Sequence, residues 1–264
     1  MNARQDGRGL TCRWVSALVC AALLALVIAA GAKAAAAFTT VSSGKHTGQF
    51  LTAGPDGRMW MLDSESFAVS PSLVSVPLGG GKVKAYPLPA RCSIDFNDLV
   101  VGADANLWYT NQCGTSYVVV RTTVRGRFTA FSIGHVAFPT GLTMGGDDRL
   151  WFTAGVGTSS LLRSISLGGR VLPSAARVRG AALASVLTSG PDGDLWVSGG
   201  YRATLGGRLR RVPGGDGSAI VAGADRSLWL TDGHAIDRLS LSGHRTRSRL
   251  TALVTWTSQR MSWH

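Results

Sequence analysis

The stretch Gly54-Pro55-Asp56-Gly57-Arg58-Met59-Trp60 returns four times along the chain. The later copies are Gly102-Ala103-Asp104-Ala105-Asn106-Leu107-Trp108, Gly145-Gly146-Asp147-Asp148-Arg149-Leu150-Trp151, Gly190-Pro191-Asp192-Gly193-Asp194-Leu195-Trp196 and Gly223-Ala224-Asp225-Arg226-Ser227-Leu228-Trp229. All five read G-x-D-x-x-[LM]-W, at spacings of 48, 43, 45 and 33 residues. A repeat of this length marks a solenoid or a propeller.

The flanks choose between the two. β-formers precede each motif, as in Leu99-Val100-Val101, and follow it, as in Trp151-Phe152-Thr153. The Asp-Gly-type centre suits a hairpin turn, because its residues accept positive φ. Two more short strands fit between motifs, at 117–124 and 127–133 after the second and at 161–167 and 170–176 after the third. Four antiparallel strands per repeat make a propeller blade. The expected fold is therefore all-β, a β-propeller of four-stranded antiparallel blades. The 33-residue spacing leaves room for three strands, with 207–212 as the third. Five blades with an incomplete fourth are expected, the last using 234–241 and 245–254. A sixth, degenerate blade at 242–264 is the alternative. The repeated Trp is expected to form a packing layer between blades, and the repeated Asp to serve the turn.

Composition agrees. Of 264 residues, 45% are hydrophobic and 16% charged, which excludes a disordered chain. The 34 glycines have no collagen period and suit a turn-rich β protein. Glu65 is the one glutamate among 15 acidic residues, which speaks against an α-rich fold.

Residues 1–37 read as a cleaved signal peptide. Arg4, Arg8 and Arg13 precede an uncharged apolar run from 15 to 31, and Ala32-Lys33-Ala34-Ala35-Ala36-Ala37 offers A-x-A cleavage sites. Residues 38–264 then form a single propeller domain, secreted or held in the cell envelope. No second apolar segment of spanning length follows. Removing 1–37 leaves 23 basic and 14 acidic residues, a net charge of +9. It also leaves two cysteines, Cys92 and Cys113, which in an exported chain read as one disulfide. A hairpin folded at the Asp104 turn brings them side by side. Ala37-Phe38-Thr39-Thr40-Val41 reads as an outer strand that could join the last blade.

The repeat resembles that of the streptogramin (virginiamycin B) lyase family. The stretch Gly81-Lys82-Val83-Lys84-Ala85-Tyr86-Pro87-Leu88-Pro89-Ala90 is similar to an outer strand of that family. The resemblance runs from 38 to about 250 and implies the propeller fold. It further implies ester cleavage by elimination, with a histidine base and a divalent metal. In the family pattern the active histidines stand five residues before the repeat Gly. A metal-binding Glu stands nine residues after it, and both positions face the mouth of the central channel.

Here the first position carries Gln49, Asn97, Thr140, Ser185 and Ser218. The second carries Asp63, Asn111, Ala154, Gly199 and Asp232. Neither position holds a His or a Glu, and elimination next to a carbonyl needs a base that titrates near neutrality. His46, His135, His234, His244 and His264 all fall elsewhere. The polar side chains at the mouth (Gln49, Asp63, Asn97, Asn111, Thr140, Ser185, Ser218 and Asp232) are the candidate ligand-binding residues. Asp63 and Asp232 are candidate ligands for a calcium or magnesium ion. The expected function is a non-catalytic platform, likewise not an enzyme, for a small polar ligand or for an envelope polymer or protein. The alternative is a metal-assisted lyase of the streptogramin-lyase type, or a hydrolase, with a rearranged site. Arginines cluster at 208–211 and 245–249, and anionic envelope polymers suit that field better than nucleic acid. A monomer is expected.

Overall fold

The computed structural model describes residues 48–63, 71–93, 98–179, 186–231 and 235–249. These form a five-bladed β-propeller of antiparallel sheets. Blade one runs β1 (Gly48–Ala53), β2 (Arg58–Asp63), β3 (Ser72–Pro77) and β4 (Lys84–Pro87). In blade two the inner strand is broken into β5 (Cys92–Ser93) and β6 (Leu99–Val101), both paired with β7 (Leu107–Cys113). The sheet continues through β8 (Ser116–Thr122) and β9 (Phe128–Ser132). Blade three is β10 (Ala137–Met144), β11 (Arg149–Val156), β12 (Ser159–Ser166) and β13 (Ala176–Arg179). Blade four is β14 (Leu187–Ser189), β15 (Leu195–Val197), β16 (Tyr201–Ala203) and β17 (Leu209–Arg211). Blade five is β18 (Ala219–Ala222), β19 (Leu228–Thr231), β20 (Ala235–Leu239) and β21 (Arg245–Arg249).

The motif's three fixed residues have three physical reasons. Its fourth position turns left-handed in every copy, at Gly57, Ala105, Asp148, Gly193 and Arg226. That conformation closes the inner hairpin, with Gly54 N–H donating to Arg58 O and Gly57 N–H to Gly54 O. The Asp side chain does more than turn the chain. Its Oδ1 accepts the indole N–H of the Trp four residues on: 2.9 Å at Asp56–Trp60, 3.0 Å at Asp104–Trp108 and at Asp147–Trp151, and 3.2 Å at Asp192–Trp196 and at Asp225–Trp229. The bonded indole lies flat over the start of the turn. A Cβ on Gly54, Gly102, Gly145, Gly190 or Gly223 would fall within 3 Å of that ring, so only glycine fits.

Each Trp enters the interface with the next blade. Trp60 packs with Leu99 and Tyr109, Trp108 with Leu142 and Phe152, Trp151 with Leu187 and Val197, and Trp196 with Ile220 and Leu230. These four indoles are 0–1% exposed, whereas Trp229 is half-buried. The outer wall of each interface is made differently. Tyr86 stacks on Trp60 and Phe131 on Trp108, both with centroids 5.6 Å apart, while Arg202 lies 5.5 Å over Trp196. The inner strands pack in sequence, β1 on β6, β6 on β10, β10 on β14 and β14 on β18. Gly141 allows one of these approaches, since a Cβ there would press on the Leu187 backbone.

Two expectations change. The fourth blade is complete, because its four strands are only three residues long and positive-φ glycines (Gly199, Gly200 and Gly207) tighten its turns. Residues 207–212 supply its fourth strand, not its third. Of the segment 242–264 named for a sixth blade, residues 245–249 form β21, which pairs with β20 inside blade five. The leader, the outer strand expected at 37–41 and residues 250–264 lie outside the described residues. Cys92 and Cys113 form the expected disulfide, opposite each other in the β5–β7 ladder.

Candidate functional site

The start of each inner strand and the end of the strand beside it lie at one end of the blade. In blade one Gln49 pairs with Leu62, so Asp63 caps that end. In blade three Thr140 pairs with Thr153 and their hydroxyls lie 3.0 Å apart. In blade five Ser218 donates to Thr231 O at 2.9 Å. These are the positions that the repeat register singles out. Of the candidates, Asp63 and Asn111 are buried, at 5% and 2% exposed. Asn97, Ser185 and Asp232 lie outside the described residues, as does the side chain of Gln49.

Asn111 is the most informative candidate. Its Oδ1 accepts Gln112 N–H at 2.7 Å, which leaves Nδ2 buried with no acceptor. A buried donor without a partner costs about 1–3 kcal/mol, so a ligand oxygen placed there would be rewarded. The same donor would repel a cation. Among the described residues no three His, Cys, Asp or Glu side chains converge as a metal centre needs. The described residues therefore do not fit the divalent ion that the family pattern implies.

Asp98 escaped notice in the sequence, because it stands one residue beyond the family's histidine position. It precedes β6 and reaches across to blade three, where its Oδ2 accepts Leu142 N–H at 2.8 Å. Burial pushes its pKa up from the ordinary carboxylate value, and the amides of Leu142 and Gly141 pull against that rise. It is thus a titratable group set between the inner strands of blades two and three. The described histidines, His135 and His244, are both exposed and lie in loops.

Comparison with known proteins places these features in a family. A family model described as the virginiamycin B lyase family matches residues 34–210, about two thirds of the chain. Among solved structures, a streptogramin B lyase is 20% identical, with 81% of this chain and 72% of that one covered and a TM-score of 0.62. A catalytically inactive virginiamycin B lyase from Staphylococcus aureus with quinupristin is 23% identical, covering 77% and 70%, with a TM-score of 0.61. A selenomethionine form of the enzyme from that organism is 22% identical, covering 81% and 74%, with a TM-score of 0.61. No curated protein matches the sequence. The family match overturns the expectation of a non-catalytic, non-enzymatic platform. That expectation rested on the missing histidine and glutamate, which register a changed site and not a different class of protein. The chain belongs to the virginiamycin B lyase family.

Proposed function

We propose that this chain is a carbon–oxygen lyase that opens an ester by elimination at the channel mouth, with a rearranged set of site residues. The match over 34–210, which spans β1 to β17, carries this reading. In such a step a base removes the proton beside a carbonyl, a carbon–carbon double bond forms, and the ester oxygen leaves as a carboxylate. Asp98 is the proton acceptor in this proposal, since its raised pKa gives its carboxylate more basic strength than an ordinary aspartate. The Nδ2 of Asn111 would hold a substrate oxygen, and Asp63, Thr140 and Ser218, with Gln49, Asn97, Ser185 and Asp232, would line the mouth. No step is assigned to a metal.

The test is chromatography with fragment-ion mass spectrometry of quinupristin incubated with the full chain. Elimination yields a linear product of unchanged mass, whereas hydrolysis adds one water. An intact ring after prolonged incubation would sink the proposal. Asp98→Asn keeps the acceptor for Leu142 N–H and should lower kcat by about a hundredfold or more. An unchanged kcat would remove Asp98 from the chemistry. The basic-then-apolar leader and the Cys92–Cys113 bond support an extracytoplasmic location with cleavage near residue 37, which N-terminal sequencing of the exported protein would check.

A further inference from the structure

The outer strands of the blades differ in charge. β4 carries one lysine and β9 no charge, whereas β17 reads Leu-Arg-Arg and β21 Arg-Thr-Arg-Ser-Arg, with no acid in either. Protection of a sheet edge does not require this, since β9 ends its own sheet without a charge. Register turns these arginines toward one seam. Arg210 is opposite Arg202, which is opposite Trp196. All three share the face turned to blade five, where Trp196 packs with Leu230 and Leu239. In blade five Arg245 is opposite Leu239, and Arg247 is opposite Asp237, which is opposite Leu230. That face is turned to blade four. Arg245 crosses the seam, donating to Gly214 O and Asp216 O at 3.1 and 3.3 Å, just beyond the end of β17. Arg208 and Arg210 therefore lead up to the crossing, and Arg247 follows it.

The carboxylates of the seam lie beneath and the guanidiniums above. Asp237, which pairs with Arg245 and Arg247, is fully buried, and Asp192 and Asp194, which pair with Arg202, are 11% and 19% exposed. The exposed Asp216 at the crossing is held by Arg211 at 3.2 Å. Arg208, Arg210 and Arg247 are exposed, and the side chains of the first two pair with no acid among the described residues. No lysine follows Lys84, so every basic group here is a planar fork that holds phosphate oxygens through paired N–H donors. Alternate residues of a strand stand about 6.6–7 Å apart on one face, so a file of such forks suits a chain of repeated anions better than a single ion. Neither β17 nor β21 shows an exposed large apolar side chain for a lipid surface or an aromatic ring for a base to stack on. We propose that the seam between blades four and five binds a linear, base-free phosphate polymer along this file. The inference stands apart from the elimination reaction and uses none of its residues.

Titration of the full chain with inorganic polyphosphate tests it. Arg208→Gln with Arg210→Gln, which breaks no described ion pair, should weaken binding at least about tenfold and flatten the slope of log affinity against log salt by about one unit. Arg125→Gln with Arg127→Gln removes the same charge from the exposed β8–β9 turn of blade two and should change affinity by less than about twofold. Equal losses in the two double variants would reduce the binding to net charge and overturn the proposal, as would no binding by the parent chain. Single-stranded DNA and polygalacturonate of matched charge complete the set. Tighter binding of the DNA would assign the seam to nucleic acid, and tighter binding of the polygalacturonate to an acidic polysaccharide; either would overturn the proposal.

Discussion

Asp104 bonds a fully buried indole and Asp225 a half-exposed one, so the same substitution should cost different amounts. Asp104→Ala leaves the Trp108 N–H buried and unpaired, and a loss of about 1–3 kcal/mol is expected by chemical denaturation. Asp225→Ala should cost clearly less, since water reaches that N–H. Ala105 occupies the left-handed turn position with φ 55°, where two other repeats place glycine. Ala105→Gly should therefore stabilise by up to about 1 kcal/mol. Two aspartates also predict opposite pH effects. The carboxyl of Asp98 titrates higher in the folded state, so stability is lost as pH rises from about 3.8 through its raised pKa. Asp98→Asn should abolish that loss in melting profiles. Arg238 beside Asp225 holds its pKa down to about 2, so its contribution is present above 3.8 and lost as pH falls toward 2. Sequence alone reveals the Gly, the Asp and the Trp but not the bond between the last two, because a turn aspartate already has a sufficient explanation. Asp98 was illegible for a plainer reason: the repeat register points to position 97, and only the fold shows that the next residue reaches blade three.

At the scale of elements, spacing is a good guide to blade number and a poor guide to strand number. Three-residue strands such as β16 carry almost no periodic signal, and tight glycine turns let four of them fit within 33 residues. The broken inner strand of blade two was equally hidden, although the position of the cysteines foretold its outer piece. The Cys92–Cys113 bond closes a loop of 21 residues, so a chain with both cysteines changed to serine should lose about 3 kcal/mol of stability. Blade five has a different clamp: Asp237, fully buried, pairs with Arg245, which also donates to Gly214 O at 3.1 Å in the link from blade four. Asp237→Ala leaves a part-exposed Arg245 that still holds Gly214 O, and a loss of about 1–3 kcal/mol is expected in the same assay.

For the whole molecule, stability passes from blade to blade through interfaces of one design. Trp108→Ala should cost about 3–5 kcal/mol, because it empties a sealed interface between two blades. The same change at the half-buried Trp229 should cost less. The first and last blades each show an apolar inner-strand residue to water, Leu51 at 61% and Val221 at 58% exposed. Two sticky faces of complementary shape let chains join head to tail without limit. A charged residue at both positions should therefore raise the concentration up to which light scattering finds a single species.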